Sequence, residues 1–138
     1  GIEMLEYLET LANGDNPLVI ACDPTGRSWM KHTIDVRDIA HAFERLVGSE
    51  STIGNTYQLG APGPFTWHEV VPAIARATGE RVVEAQMDHI MPTFYEFDLS
   101  AAHRDFGYAP THDWKSTLDE AIRFTTDGSD TIIPTVTS

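Results

Sequence analysis

The segment Thr66-Trp67-His68-Glu69 constrains the fold more than any other part of this chain. A threonine followed three residues later by glutamate forms a capping box, in which the two side chains satisfy amides that have no partner inside the helix. A helix therefore starts here and runs through Val70, Ile74 and Ala77 to Gly79. Upstream, the turn Gly60-Ala61-Pro62-Gly63-Pro64 closes a strand-like Thr56–Leu59, and downstream Arg81–Ala85 again reads as a short strand. Such alternation of short strands with a capped helix predicts an α+β fold, a small helix-rich domain with short strands.

The remaining elements follow the same pattern. Ile2, Leu5, Leu8, Leu11 and Ala12 recur at helical spacing opposite Glu3, Glu6 and Glu9, so residues 2–12 are expected to form an amphipathic helix that stops near Gly14. Leu18–Cys22 is an apolar run between Asn16-Pro17 and Asp23-Pro24-Thr25-Gly26, which predicts a strand and then a turn, with Ser28–Ile34 returning as its hairpin partner. Asp35 caps a helix to about Val47, with Ile39, Ala40, Phe43, Leu46 and Val47 on one face and Gly48 at its end. Residues 86–97 read as irregular. Ser100 caps a short helix ending at Gly107, and a last helix carries Leu118, Ala121, Ile122 and Phe124. Residues 1–125 are expected to form one unit and residues 126–138 a mobile tail.

With 138 residues and 41% hydrophobic composition, the chain can bury one core. Its 21 acidic and 9 basic residues give a net charge of −12, which repels phosphate backbones and anionic lipid, so neither nucleic acid nor a membrane is an expected partner. Any anionic small molecule must be held by local cations. Cys22 is the only cysteine, which rules out an intrachain disulfide and suits a reducing, cytoplasmic setting. No segment approaches the roughly 18 consecutive apolar residues of a membrane span. Gly1 in place of an initiating Met suggests that the chain starts inside a longer reading frame or after a cleaved tag.

Little in the sequence offers chemistry by itself. Gly60–Gly63 lies between a strand and a helix, as a dinucleotide loop would, but Pro62 and Pro64 lack the N–H groups that such a loop aims at a pyrophosphate. Four residues after Tyr7, Tyr57, Tyr95 and Tyr108 stand Leu11, Ala61, Leu99 and His112, so no tyrosine has the lysine that would acidify it. The six histidines are scattered, and no metal site is expected from their spacing. The stretch Lys31-His32-Thr33-Ile34-Asp35-Val36-Arg37-Asp38-Ile39-Ala40 has two readings. It is a strand-to-helix corner in which Asp35 and Asp38 cap amides, or it is a corner from which Lys31 presents its ammonium to a substrate phosphate.

This stretch resembles the Arg-Asp-Phe-Val-His-Val-Asp-Asp-Ile-Ala segment of the extended short-chain dehydrogenases/reductases of the NAD-dependent epimerase/dehydratase type. Further along, Gly54–Gly60 resembles the family's Gly-x-x-Tyr-Asn-Val-Gly strand, and Thr66–Gly79 resembles the helix after it. Asp98–Pro110 is similar to its Asp-x-Ser-Lys-Ala … Leu-Gly-Trp-x-Pro signature, and Trp114–Ala121 to its closing helix. The resemblance implies a two-part enzyme in which an N-terminal Rossmann domain holds NAD or NADP and supplies the catalytic Tyr, Lys and Ser or Thr. This chain would be the C-terminal, substrate-binding portion, with no cofactor of its own and no activity alone.

The resemblance also implies that Lys31 contacts the diphosphate of a sugar nucleotide. The family's second phosphate-binding Arg is missing, because Met91–Phe97 contains none. That departure leaves room for a smaller hydroxy or carbonyl substrate, with Trp29, Phe94 and Tyr95 as apolar walls. Thr56–Leu59 would be a sheet edge without its sheet, so the chain is expected to self-associate or to capture a Rossmann half. A stand-alone, non-enzymatic binding or regulatory module is the alternative, and the missing Tyr and Lys pair is compatible with it.

Overall fold

Val82–Gln86 lies between two parallel neighbours, Ile2–Glu3 on one side and Leu18–Cys22 on the other. This computed structural model describes residues 2–3, 14, 16–87 and 93–127. In chain order the strands are β1 (Ile2–Glu3), β2 (Leu18–Cys22), β3 (Met30–Lys31), β4 (Phe65–Thr66) and β5 (Val82–Gln86). The helices are α1 (Val36–Leu46), α2 (Trp67–Thr78), α3 (Ser100–Phe106) and α4 (Trp114–Asp127), with a 3₁₀ turn at Glu50–Thr52. One sheet has the order β1-β5-β2, and β3 pairs antiparallel with β4 in a second. The fold is thus a small mixed α/β domain.

Parallel strands need a crossover between them, and α2 lies on the long one from β2 to β5. It covers the sheet by packing Val70 and Val71 on Ile20 and Cys22, with Leu18, Phe65, Trp67, Ile74, Val82 and Trp114 around them. The expected start of α2 is present: the Thr66 N–H and hydroxyl donate to Glu69 Oε2 at 2.8 and 2.9 Å. Its expected end is Gly79, whose φ of +77° suits a residue without a Cβ. A second cluster joins α1 and α3 through Ala42, Ala102, Phe106 and Tyr108.

Several expectations change against the structure. Ile2–Glu3 is a strand and not the start of a helix, because its backbone pairs with Ala85 and Gln86; the rest of the predicted N-terminal helix, residues 4–12, lies outside the described residues. The hairpin after β2 closes only at its corner. Cys22 bridges Ser28, and Trp29 N donates to Ala21 O at 2.9 Å. The chain then leaves that sheet, and Met30–Lys31 pairs with Phe65–Thr66.

Thr56–Leu59 forms no strand. Tyr57 and Leu59 pack on the second cluster, and the Tyr57 hydroxyl donates to Asp105 Oδ2 at 3.0 Å, which draws the segment onto α3. Ser100 is the first residue of α3 and not its cap; the amide of Ser100 is satisfied by Asp98 Oδ1 at 2.9 Å. Helix α4 continues through Thr126 and Asp127, and residues 128–138 of the predicted tail lie outside the described residues.

Helix α1 is capped as expected, with Asp35 Oδ1 accepting from Arg37 N at 2.8 Å. Its orientation is not as expected. The buried residues are Asp38 and Ala42, while Phe43 and Val47 are 63% and 83% exposed. The cause is polar: Asp38 is drawn inward by the Thr111 and His112 amides, and the helix turns with it.

Candidate functional site

Asp23 shapes the approach to the site. Its Oδ1 accepts from Thr25 N at 2.9 Å, Thr25 Oγ1 at 2.6 Å and Arg27 N at 3.0 Å, so one carboxylate holds the whole turn. Beyond it the chain is extended, and side chains alternate between two sides. Ser28 and His32 point inward and are 5% and 4% exposed. Arg27, Trp29 and Lys31 alternate with them in sequence and are less buried.

A second segment runs against this one. Met30 N donates to Thr93 O at 2.8 Å, and Phe97 N donates to His32 Nδ1 at 2.9 Å, so residues 93–97 are tied at both ends. The pairing sets aromatic rings against cations. The Arg27 guanidinium lies 3.8 Å from the Phe94 ring centre, and Lys31 Nζ lies 5.8 Å from that of Tyr95. Contacts of this kind contribute roughly 0.5–1 kcal/mol when exposed. Tyr95 packs on Phe97 at 5.3 Å, and Phe97 stacks on His32, also at 5.3 Å. Two buried polar atoms of these segments, Trp29 Nε1 and Thr93 Oγ1, have no hydrogen-bond partner among the described residues.

His32 is locked in one tautomer. Nδ1 accepts from Phe97 N, so the proton is on Nε2, which donates to Ala61 O at 2.9 Å. A Cβ at Gly60 would lie 2.8 Å from His32 Nε2, which explains a glycine there. Beside the ring is an open hollow of about 520 Å³, lined by His32, Pro62, Glu96, Phe97, Asp98 and Leu99.

The structure brings Lys31 together with Tyr95 and puts Phe94 and Trp29 on the same two paired segments. None of the four lines the hollow, which lies next to them through Phe97. Arg27 was not singled out by the sequence. Its signal was the alternation itself, since it stands two and four residues before Trp29 and Lys31.

Two tyrosine hydroxyls are committed to structure. Tyr108 donates to Gly60 O at 2.8 Å, and burial, then the charge of Asp38, pushes its hydroxyl above the usual range. Tyr57 donates to Asp105. The loop at residues 60–64 does not fit a dinucleotide: Ala61 N is spent on Thr33 O at 2.8 Å, His32 fills the space beside Gly60, and Pro62 and Pro64 have no N–H. No chemistry of NAD is therefore assigned to these residues. Among the described residues, no helix is long and apolar enough to cross a membrane.

With this geometry in hand, known structures offer a direct comparison. A short-chain dehydrogenase/reductase superfamily protein from Agrobacterium tumefaciens, solved with bound NAD, superposes with a TM-score of 0.70 at 21% identity. The match covers 86% of this chain and 37% of that one. This fold occurs within short-chain dehydrogenase/reductase chains. The dTDP-glucose 4,6-dehydratase of Streptomyces venezuelae matches 90% of this chain and 38% of its own, with a TM-score of 0.61 at 16% identity. The UDP-glucose 4-epimerase of Stenotrophomonas maltophila matches 88% and 38%, with 0.58 at 21%. The chain thus spans a little over a third of the length of these structures. No family model and no curated protein sequence matches it.

Proposed function

We propose that this chain is the substrate-binding portion of an NAD(P)-dependent epimerase, dehydratase or reductase that acts on a sugar nucleotide or a related hydroxy or carbonyl compound. The observation that carries this reading is the pairing of Arg27 with Phe94 and of Lys31 with Tyr95 on two tied segments. In a chain of net charge −12, two cations four residues apart on one segment, each against an aromatic ring, are the local exception that an anionic ligand needs. Their aromatic partners offer flat apolar surface for a base or sugar ring. The dehydratase and the epimerase that share the fold act on nucleotide sugars, and Arg27 stands in for the second cation that Met91–Phe97 lacks.

In this reading the residues of this chain bind and orient the substrate. NAD or NADP, with the catalytic Tyr and Lys, belongs to a Rossmann unit outside it. The exposed Val36 and Phe43 of α1, with Val47 just after it, support such a unit or a second copy as a covering partner, since exposed apolar faces of this kind mark interaction surfaces.

The test is calorimetric titration of the chain with UDP and dTDP at low and high salt, with NAD as the contrast. Diphosphate binding that weakens with salt, and by about tenfold in the Arg27→Ala/Lys31→Ala double variant, is expected. Failure of both diphosphates to bind at millimolar concentration, or equal binding by the double variant, would overturn the proposal.

A further inference from the structure

Away from that face, the pairing of β2 with β5 places Ile20 opposite Glu84 and Cys22 opposite Gln86. Alternation along each strand then puts Ile20, Cys22 and Glu84 on one face of the sheet, the face that α2 covers. His68 enters from above, in the first turn of α2. The start of this helix is held by Trp67 N donating to Trp29 O at 3.0 Å and His68 N to Ser28 Oγ at 3.4 Å. Three elements far apart in sequence thereby bring a thiol, an imidazole and a carboxylate together. Cys22 Sγ, a ring nitrogen of His68 and a carboxylate oxygen of Glu84 all lie within 4.8 Å of one another, and His68 Nε2 is 2.9 Å from Glu84 Oε1.

We propose that Cys22, His68 and Glu84 form a binding site for a thiophilic divalent cation such as Zn²⁺. Sulfur, nitrogen and oxygen donors together suit this ion, and bonds of about 2.0–2.3 Å in a tetrahedron need ligand atoms roughly 3.3–3.8 Å apart. The imidazole and carboxylate, 2.9 Å apart, need to part slightly, and the sulfur, already within 4.8 Å of both, needs at most a small side-chain movement. Access is provided for, because the His68 and Glu84 side chains are 42% and 47% exposed while Cys22 is buried beneath them. The ion would enter through the exposed pair and seat on the sulfur. On binding, the Cys22 thiol gives up its proton to solvent as the sulfur–metal bond forms; the resulting thiolate and the Glu84 carboxylate balance the two charges, and a fourth position stays open to water or a small ligand. Without an ion the same residues leave a surface His68–Glu84 pair over a buried thiol, which is the rival account.

Cobalt(II) titration of the chain separates the two. Cys22 is the only cysteine, so a thiolate-to-cobalt charge-transfer band in the near ultraviolet can report on no other site. The expected result is that band at one equivalent, bleached by one equivalent of Zn²⁺. Cys22→Ser should abolish the band, and the exposed-site variants Glu84→Gln and His68→Gln should weaken cobalt binding about tenfold or more while keeping the fold by circular dichroism. Absence of the band, or a band of unchanged affinity in both exposed-site variants, overturns the proposal.

Discussion

Asp38 and His112 are 74 residues apart in sequence, and the carboxylate of the first accepts from both the backbone N–H and Nδ1 of the second at 3.0 Å. Thr111 adds its amide at 3.1 Å and its hydroxyl at 3.3 Å, so a side chain only 2% exposed has a full set of donors. This carboxylate fastens α1 to the loop that leads into α4.

Acid should undo this fastening. Burial pushes the Asp38 carboxyl up, but the hydrogen bonds from His112 and Thr111 outweigh it and hold the group below its usual range. The group therefore stabilises the fold above its unfolded value of about 3.9, and that contribution is lost as pH falls through the lower folded value. Asp38→Asn should cost about 1–3 kcal/mol at pH 7. Melting temperatures of the two proteins measured from pH 7 downward should converge; a gap that stays constant would argue against an ionised Asp38.

Arg37 joins two helices. Its guanidinium donates to both oxygens of Asp35 and to both of Glu120 on α4, at 2.7 to 3.0 Å. Hydrogen bonding from Arg37 brings the Asp35 carboxyl down to about 2, so its contribution is present above about pH 3.9 and lost only as pH falls through about 2. Arg37→Met should cost about 1–3 kcal/mol in urea denaturation at pH 7. Arg37→Lys should not restore it, because an ammonium cannot form two forked pairs at once. Full rescue by lysine would show that only the charge matters.

His32 and Gly60 should behave as a coupled pair. Gly60→Ala pushes a methyl group against the ring and should cost about 1–3 kcal/mol. His32→Ala leaves Phe97 N–H and Ala61 C=O unpaired, at about 1–3 kcal/mol for each group. In the His32→Ala background, the alanine at position 60 should be almost free of cost. Additive losses across the double-mutant cycle would mean that the two residues do not touch.

The apolar outer face of α1 should make the isolated chain associate with itself. Light scattering is expected to show a mass that rises with concentration, and Phe43→Ser together with Val47→Ser should shift it toward the monomer with little loss of stability, since both side chains are mostly exposed. A monomer at all concentrations for the unsubstituted chain would count against the idea.

Local signals in the sequence were readable where the cause was local. The Thr66 and Glu69 box, the Asp35 cap and the exit at Gly79 all involve residues within a few positions of each other, and each is found where expected. What could not be read depends on distant partners. The orientation of α1 is decided by an aspartate meeting amides 73 and 74 residues away, against the hydrophobic pattern of its own helix. Thr56–Leu59 has strand-like composition, yet Asp105 and the α3 cluster decide its course. Of the residues expected at a site, Lys31, Trp29, Phe94 and Tyr95, the structure puts all four on two paired segments and none in the hollow beside them. Arg27 was missed, although it stands two and four residues before Trp29 and Lys31; its contact with the distant Phe94 is visible only in the structure. The cluster of Cys22, His68 and Glu84 has no sequence spacing at all to betray it.

The ties at both ends of residues 93–97 have a thermodynamic consequence. Thr93 is anchored on Met30, and Phe97 is anchored on His32, so the rings of Phe94 and Tyr95 are set before any ligand arrives. The ordering entropy of that panel falls on folding and not on binding. A ligand that meets it should therefore associate with little induced rearrangement, and cutting either anchor should loosen affinity while leaving every contacting side chain in place.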